Sequence, residues 1–190
     1  GIGARVYDSG NGAPDSYLKG NMDEVAIFDR ALSNAEMANI YNNGKATNLY
    51  LNNPLHWWRM GDNDSETPQR ITDQGRGQIN PKIMGAATLS GDTPNNPIPL
   101  SKYSLSFDGT SDNASTDLSV GGKSALTVSA WVNLSTVQDS GFVQQYAAAG
   151  TNRTFRIIYA AGGFWFQCYS PEGITEATVT NAAPPTNQWI

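Results

Sequence analysis

Apolar and polar residues alternate along several short stretches of this chain, and each such stretch predicts a β-strand with one buried face. Val25 and Ile27 alternate with Glu24 and Ala26, and Tyr103, Leu105 and Phe107 alternate with Ser104 and Ser106. The longest run covers 126–134, where Leu126, Val128, Ala130, Val132 and Leu134 form an all-apolar face against Thr127, Ser129, Trp131 and Asn133. Phe155, Ile157 and Tyr159 then lead to the turn "AAGG" at 160–163, and Phe164, Phe166 and Cys168 lead back, which predicts a hairpin. With those residues facing the core, Arg156, Trp165, Gln167 and Tyr169 project together from the opposite side as a mixed aromatic and polar surface. Residues 1–7 predict one more strand, and 8–16 a turn-rich loop.

The period changes after Asp29 and Arg30. Ser33 stands where a helix N-cap belongs, with Glu36 three residues on as its capping-box partner and Leu32 and Met37 at the positions of a hydrophobic staple. Gly44 supplies a residue suited to a left-handed stop, so the pattern predicts one helix of about three turns over 33–43. Residues 45–54 form a linker closed by Pro54. From 61 to 99 the chain is polar and rich in Asp, Gly and Pro, with only "QINPKIMGAATLS" suggesting short pairing. Such a stretch predicts an ordered rim loop or a partly mobile segment.

An apolar fraction of 39% over 190 residues suffices for a buried core, and ten prolines beside a single helix favour an all-β class. Net charge is −5 with no basic cluster to neutralise phosphates, which argues against nucleic acid and anionic membrane as partners. No apolar run approaches the length of a membrane span, and no leader pattern is visible. The single Cys168 has no intrachain partner for a disulfide and fits a small buried apolar position. Sequons occur at Asn63, Asn113, Asn133 and Asn152 at a frequency expected of so much Asn, Ser and Thr.

The common catalytic patterns are absent from this sequence. Glycoside hydrolysis with retention needs two carboxylates about 5 Å apart, yet Asp23 and Glu24 are neighbours expected on opposite sides of a strand, and Glu172 and Glu176 fall in a Gly-interrupted loop. His56 is the only histidine and has no nucleophile elbow to serve, so it reads as a packed first-strand residue. "VGGKS" at 120–124 lacks the upstream glycine of a phosphate loop, Asp117 standing in its place, and predicts a turn. One His and one Cys cannot assemble a usual zinc site.

The segment 20–44, "GNMDEVAIFDRALSNAEMANIYNNG", resembles the C-terminal signature of the laminin-G-like, concanavalin A-like jelly-roll family. It matches that signature at Gly20, Met22, Asp23, Glu24, Val25, Ile27, Phe28, Ala31, Leu32, Ser33, Tyr41 and Gly44. "HWWRMGD" (56–62), "YSLSFDGTSDN" (103–113) and "LTVSAWVNLS" (126–135) resemble the opening strands of the same family, in that family's order. The resemblance therefore runs end first: residues 1–50 resemble the C-terminal portion of one repeat and 51–190 the N-terminal portion of the next. It implies a piece of a tandem array or a circularly permuted domain, and in either case an all-β sandwich of two antiparallel sheets. If the two portions share a domain, the strand at 22–28 is expected beside one near 56–60.

The resemblance also implies a calcium (Ca2+) site at the sandwich rim, for which Asp108, Asp112 and Asn113, approached by Asp23 and Glu24, are the candidate ligands; the alternative is that Asp108 and Gly109 only form a turn. By the same resemblance the expected function is non-catalytic recognition or adhesion, binding glycan or a protein surface. The hairpin's outer residues Arg156, Trp165, Gln167 and Tyr169, with Tyr146 and Arg153 on the loop nearby, are of the types that stack a sugar ring and hydrogen-bond its hydroxyls; the alternative is that these aromatics pack beneath loops or the next repeat. The expected setting is a multi-repeat protein at a cell surface, virion surface or other extracellular site. Two rival expectations are a structural module of a phage virion or bacterial surface layer, contacting sister repeats or other subunits, and an accessory domain on a glycoside hydrolase.

Overall fold

The computed structural model describes residues 1–6, 14–64, 69–94, 101–145, 155–170, 173–180 and 183–190. Its elements follow the alternating pattern closely. In chain order they are β1 (Ala4–Val6), β2 (Pro14–Tyr17), β3 (Lys19–Phe28), helix α1 (Asn34–Tyr41), β4 (His56–Trp58), β5 (Lys82–Met84) and β6 (Thr88–Ser90). After these come β7 (Ser104–Asp108), β8 (Asn113–Ser115), β9 (Thr127–Leu134), β10 (Ser140–Gln145), β11 (Phe155–Ala160), β12 (Gly163–Ser170) and β13 (Gly173–Thr180).

Strand β3 is the axis of the first sheet. One of its edges carries β9 along nearly its whole length, from Gly20 opposite Leu134 to Phe28 opposite Thr127. The other edge is divided: β7 pairs with Lys19 to Met22, and β4 pairs with Val25 to Ile27, all antiparallel. Strand β6 continues that sheet beyond β7. So 22–28 does lie against 56–58, with Val25 opposite Trp58 and Ile27 opposite His56. Gly20 is required where β3 is squeezed between two partners: its φ is 147°, and a Cβ there would stand 2.1 Å from the Asn133 carbonyl oxygen.

The second sheet is a meander, β10-β11-β12-β13, each strand antiparallel to the next. The β11–β12 hairpin closes through Ala161 and Gly162, both at positive φ (49° and 80°), as a two-residue turn that follows the right-handed twist of the strands. Met22, Val25 and Ile27 of β3, Leu105 and Phe107 of β7, and Val132 and Leu134 of β9 share one buried cluster with Phe142 and Val143 of β10 and Phe155 and Tyr159 of β11. The chain is all-β, its antiparallel sheets sharing that core, and among the described residues one short α-helix and a 3-10 turn (Tyr50–Asn52) lie outside it.

A second, smaller cluster forms on the other face of β3. Ala26, Phe28 and Trp57 meet Leu49 there, with Leu32 and Ile40 packed against them, so α1 and the segment after it cover the outer face of the first sheet. The adjacent Trp57 and Trp58 serve opposite faces, as alternation requires. Each is almost fully buried, and such burial contributes about 1.5–3 kcal/mol per large side chain.

Several expectations are corrected in detail. The strand expected over 1–7 spans only Ala4–Val6 among the described residues, and Pro14–Tyr17, of which 14–16 were expected in a loop, pairs with it. The helix is eight residues long and its left-handed cap is Asn42 (φ 44°), two residues before Gly44, because the Asn42 N–H already closes on the Ala38 carbonyl. Glu176 lies within strand β13 rather than in a loop, since β12 supplies that segment with a full ladder; Glu172 lies outside the described residues. In 70–80 order comes from side chains in place of a ladder: Asp73 accepts backbone N–H groups from Trp57 (2.9 Å), Gly75 (2.8 Å) and Ile79 (2.8 Å).

Candidate functional site

The four residues expected on the outer face of the hairpin are found there. Arg156 is the direct cross-strand partner of Gln167, and its Nε donates to Gln167 Oε1. The Tyr169 hydroxyl donates to the same oxygen at 3.0 Å, and the Arg156 guanidinium lies 5.9 Å from the centre of the Tyr169 ring. Gln167 is buried beneath this pair, whereas Arg156, Trp165 and Tyr169 remain half-buried. Trp165 donates its indole N–H to the Ala160 carbonyl at 2.9 Å, which pins the ring beside the hairpin turn. Tyr146 and Arg153 lie outside the described residues.

The five residues named for calcium fall in two places. Asp108 Oδ1 accepts N–H groups from Thr110 (2.8 Å), Ser111 (2.9 Å) and Asp112 (3.2 Å), closing the turn between β7 and β8. Hydrogen bonds, led by that from the Thr110 hydroxyl, hold the Asp108 carboxyl far below the usual range. Asp112 in turn accepts from Ala86 N (2.6 Å) and Asp108 N (3.0 Å), and Asn113 pairs with Met84. Asp108 faces Lys19, four residues before Asp23 on β3, a separation of about 13 Å along a strand. Asp108 Oδ1 and both Asp112 carboxylate oxygens thus accept backbone N–H groups, while the Thr110 and Ser111 hydroxyls donate to Asp108 Oδ2; among the described residues no group of three His, Cys, Asp or Glu is clustered.

Asp23 and Glu24 instead form part of a buried polar knot. They fall in the gap where the partner of β3 changes from β7 to β4, and the register with β9 shifts there. Glu24 takes a left-handed φ of 49°, so the regular alternation that would send the two side chains apart is broken by a bulge. Glu24 Oε2 accepts from Trp57 Nε1 (2.6 Å) and Oε1 from Arg59 Nε (3.0 Å). Arg59 Nη2 lies 2.7 Å from Asp62 Oδ2, and Asp62 Oδ1 accepts the N–H groups of Lys102 (2.9 Å) and Tyr103 (3.0 Å). Asp23 accepts from Glu24 N (2.7 Å) and from the Ser101 hydroxyl.

Burial pushes the Glu24 carboxyl up to about 6, against the opposing pull of Arg59. Burial, then the neighbouring Glu24 charge, pushes Asp23 well above the ordinary carboxylate range. Raised carboxylates mark candidate acid/base sites, but here the named oxygens are engaged by Trp57, Arg59, Ser101 and backbone. The knot fastens β3, the 59–62 corner and the 101–103 segment to one another. The sequence reading missed Arg59, Asp62 and Ser101, because nothing in an alternating pattern announces a bulge or the partner that fills it.

His56 and Asp73 are the other close acid–base pair. His56 Nδ1 lies 2.6 Å from Asp73 Oδ2, its ring stacked on Trp58 at 5.3 Å, and both residues are buried. Burial alone would raise Asp73, yet the hydrogen bonds from His56, Trp57, Ile79 and Gly75 hold its carboxyl below the usual value. The histidine is a packed strand residue that anchors the 70–80 loop. Cys168 packs against the core, and burial raises its thiol.

A cleft of about 440 Å³ opens beside β9. Val128, Ala130 and Val132 form its floor, Phe142, Ile157 and Phe164 one wall, and Leu32, Met37 and Tyr41 the other. Compared with protein-family models, with curated proteins and with solved structures, the chain matches none.

Proposed function

We propose that this chain is a non-catalytic recognition module of the laminin-G-like jelly-roll type, and that the outer face of the β11–β12 hairpin binds glycan. One observation carries the reading: Arg156, Gln167 and Tyr169 are joined by hydrogen bonds on the same face as a Trp165 ring whose orientation is fixed by Ala160. A fixed aromatic plane beside hydrogen-bonding groups is the chemistry that stacks the apolar face of a sugar and reads its hydroxyls. The engaged carboxylates of the β3 knot support a module that binds without transforming. The setting that suits such a face is an extracellular, cell-surface or virion-surface protein. Among the described residues no helix is long and apolar enough to cross a membrane.

Glycan-array screening followed by titration tests this. Trp165→Ala is expected to weaken the best glycan at least about tenfold, the loss expected of a central aromatic anchor, and Trp165→Phe to retain part of the affinity. A wild-type chain that binds no glycan, or whose binding ignores both substitutions, removes the proposal.

A structural role in an assembly is favoured by a different observation. Met37, Tyr41, Tyr50 and Leu51 are exposed at 45%, 62%, 73% and 92% on and just after α1, an apolar surface suited to contact with another subunit. Sedimentation of the chain with and without Leu51→Glu separates the two: a monomer in both cases speaks against the assembly role.

A further inference from the structure

A row of polar residues crosses the outer face of the second sheet at right angles to its strands. Gln144 of β10 is the direct cross-strand partner of Arg156, and Arg156 is that of Gln167. Residues opposite one another in an antiparallel pair share a face, so Gln144 stands on the side of Trp165. Its chain neighbours point the other way: Val143 belongs to the core cluster, and Gln145 Oε1 accepts the N–H of Val120, a core residue (2.8 Å). Gln144 is 3% exposed, yet among the described residues nothing accepts a hydrogen bond from its side-chain Nε2. Buried donors are nearly always paired, and one left unpaired weakens a fold. Gln167, on the other side of Arg156, shows the contrast, since its oxygen accepts from both Arg156 and Tyr169.

We infer, on the footing of the glycan reading, that Gln144 is a further ligand-binding residue of this face, donating its Nε2 to an oxygen of a glycan that spans several sugar units. Gln144 lies two strands from Trp165 and one side-chain repeat along, ~12 Å between backbones, further than a single sugar ring reaches. A linear oligosaccharide stacked on Trp165 covers that distance by crossing β11 over Arg156. Because so little of Gln144 is exposed, the oxygen that meets it is carried on an arm projecting from the sugar ring, as a hydroxymethyl group is. Hexose chains have that arm and xylose chains lack it.

The probes are glucose, mannose and xylose, each as the free sugar and as a linear oligomer, titrated against the intact chain and its variants. A hexose oligomer is expected to bind at least about tenfold more tightly than its free sugar and than the xylose oligomer. Gln144→Met keeps the length of the side chain and removes the donor. It is expected to weaken the hexose oligomer about tenfold and leave the free sugar unchanged, while the urea midpoint stays level or rises because an orphan donor has gone. A glutamine that serves only the fold, or only a resident water, would instead lower the midpoint and leave oligomer affinity untouched. That result overturns the inference, as does a free sugar or a xylose oligomer that binds as well as the hexose oligomer. In those cases the glycan reading survives if Trp165→Ala still weakens binding. Binding of no probe, or binding indifferent to Trp165→Ala, removes the reading and the inference together. The comparison of free sugar with oligomer needs no variant, so it keeps the test valid should Gln144→Met misfold.

Discussion

Glu24 is held in its ionised form at a cost, and the sign of that cost can be followed with pH. Its value in the folded chain, about 6, lies above its ordinary value of 4.5, so the native state binds the proton more tightly than the unfolded state does. The penalty is absent below pH 4.5, grows as pH rises through that window and is complete above about 6, where it amounts to about 2 kcal/mol. Urea unfolding of the wild type between pH 4 and 7 is expected to show stability falling with rising pH across this interval, on top of slopes from other groups. In Glu24→Gln that part of the slope should vanish, although the variant is less stable throughout because Trp57 and Arg59 donate to different carboxylate oxygens and the amide puts an NH2 donor in place of one of them. Identical slopes in the two proteins would show that Glu24 does not titrate as described. None of this was legible in the sequence. "DEV" reads as one more alternating triplet, and only the change of partner strand at that point, fixed by residues far along the chain, creates the bulge.

Elements whose signals are local were the most legible. The box formed by Ser33 and Glu36 is present in both directions, with the Ser33 hydroxyl accepting from Glu36 N (3.3 Å) and Glu36 accepting from Ser33 N (2.9 Å). Arg30 adds an ion pair to Glu36 at 2.6 Å, and that hydrogen bond, before those from Ser33, lowers the Glu36 carboxyl to about 2. Where the helix ends was read less well, since Asn42 and Gly44 both tolerate positive φ and spacing alone cannot rank them. Helix α1 buries none of its own residues fully and rests on the outer cluster through Ile40, so its cap matters more than its packing. Ser33→Ala is expected to cost about 1 kcal/mol, localised to the helix. Hydrogen exchange should report it as roughly fivefold faster opening at the Met37 and Asn42 amides, with β3 and β9 unaffected. Uniform acceleration across the sheets would mean that the helix unfolds only with the whole domain.

At the scale of the molecule, β3, a strand close to the front of the chain, occupies the middle of the first sheet. The alternating patterns at 24–27, 103–107 and 126–134 each announced a strand, and the resemblance another near 56–60, but local periodicity has no term for which strands become neighbours. The resemblance of 20–44 to a closing segment raised the expectation that it would meet 56–60, and the register of β3 with β4 meets it. Asp92 shows the same long-range stitching on the surface, accepting from Asn21 (3.0 Å), Asn133 (2.9 Å) and Trp189 (3.0 Å), which come from three distant parts of the chain. Because β3 has β9 on one edge and β7 and β4 on the other, its removal would strip β4 and β9 of their strand ladder, leave β7 with β6 alone, and uncover Trp57, Trp58, Leu105 and Val132. A fragment of residues 51–190 is therefore expected to show no cooperative unfolding transition and to bind a hydrophobic dye, while adding residues 14–50 as a separate peptide restores both the transition and near-ultraviolet circular dichroism. Should 51–190 fold cooperatively alone, β3 would be dispensable, and the first sheet would have to close by pairing β9 with β7 or β4 directly, an arrangement the bulge at Asp23 and Glu24 would then have no part in.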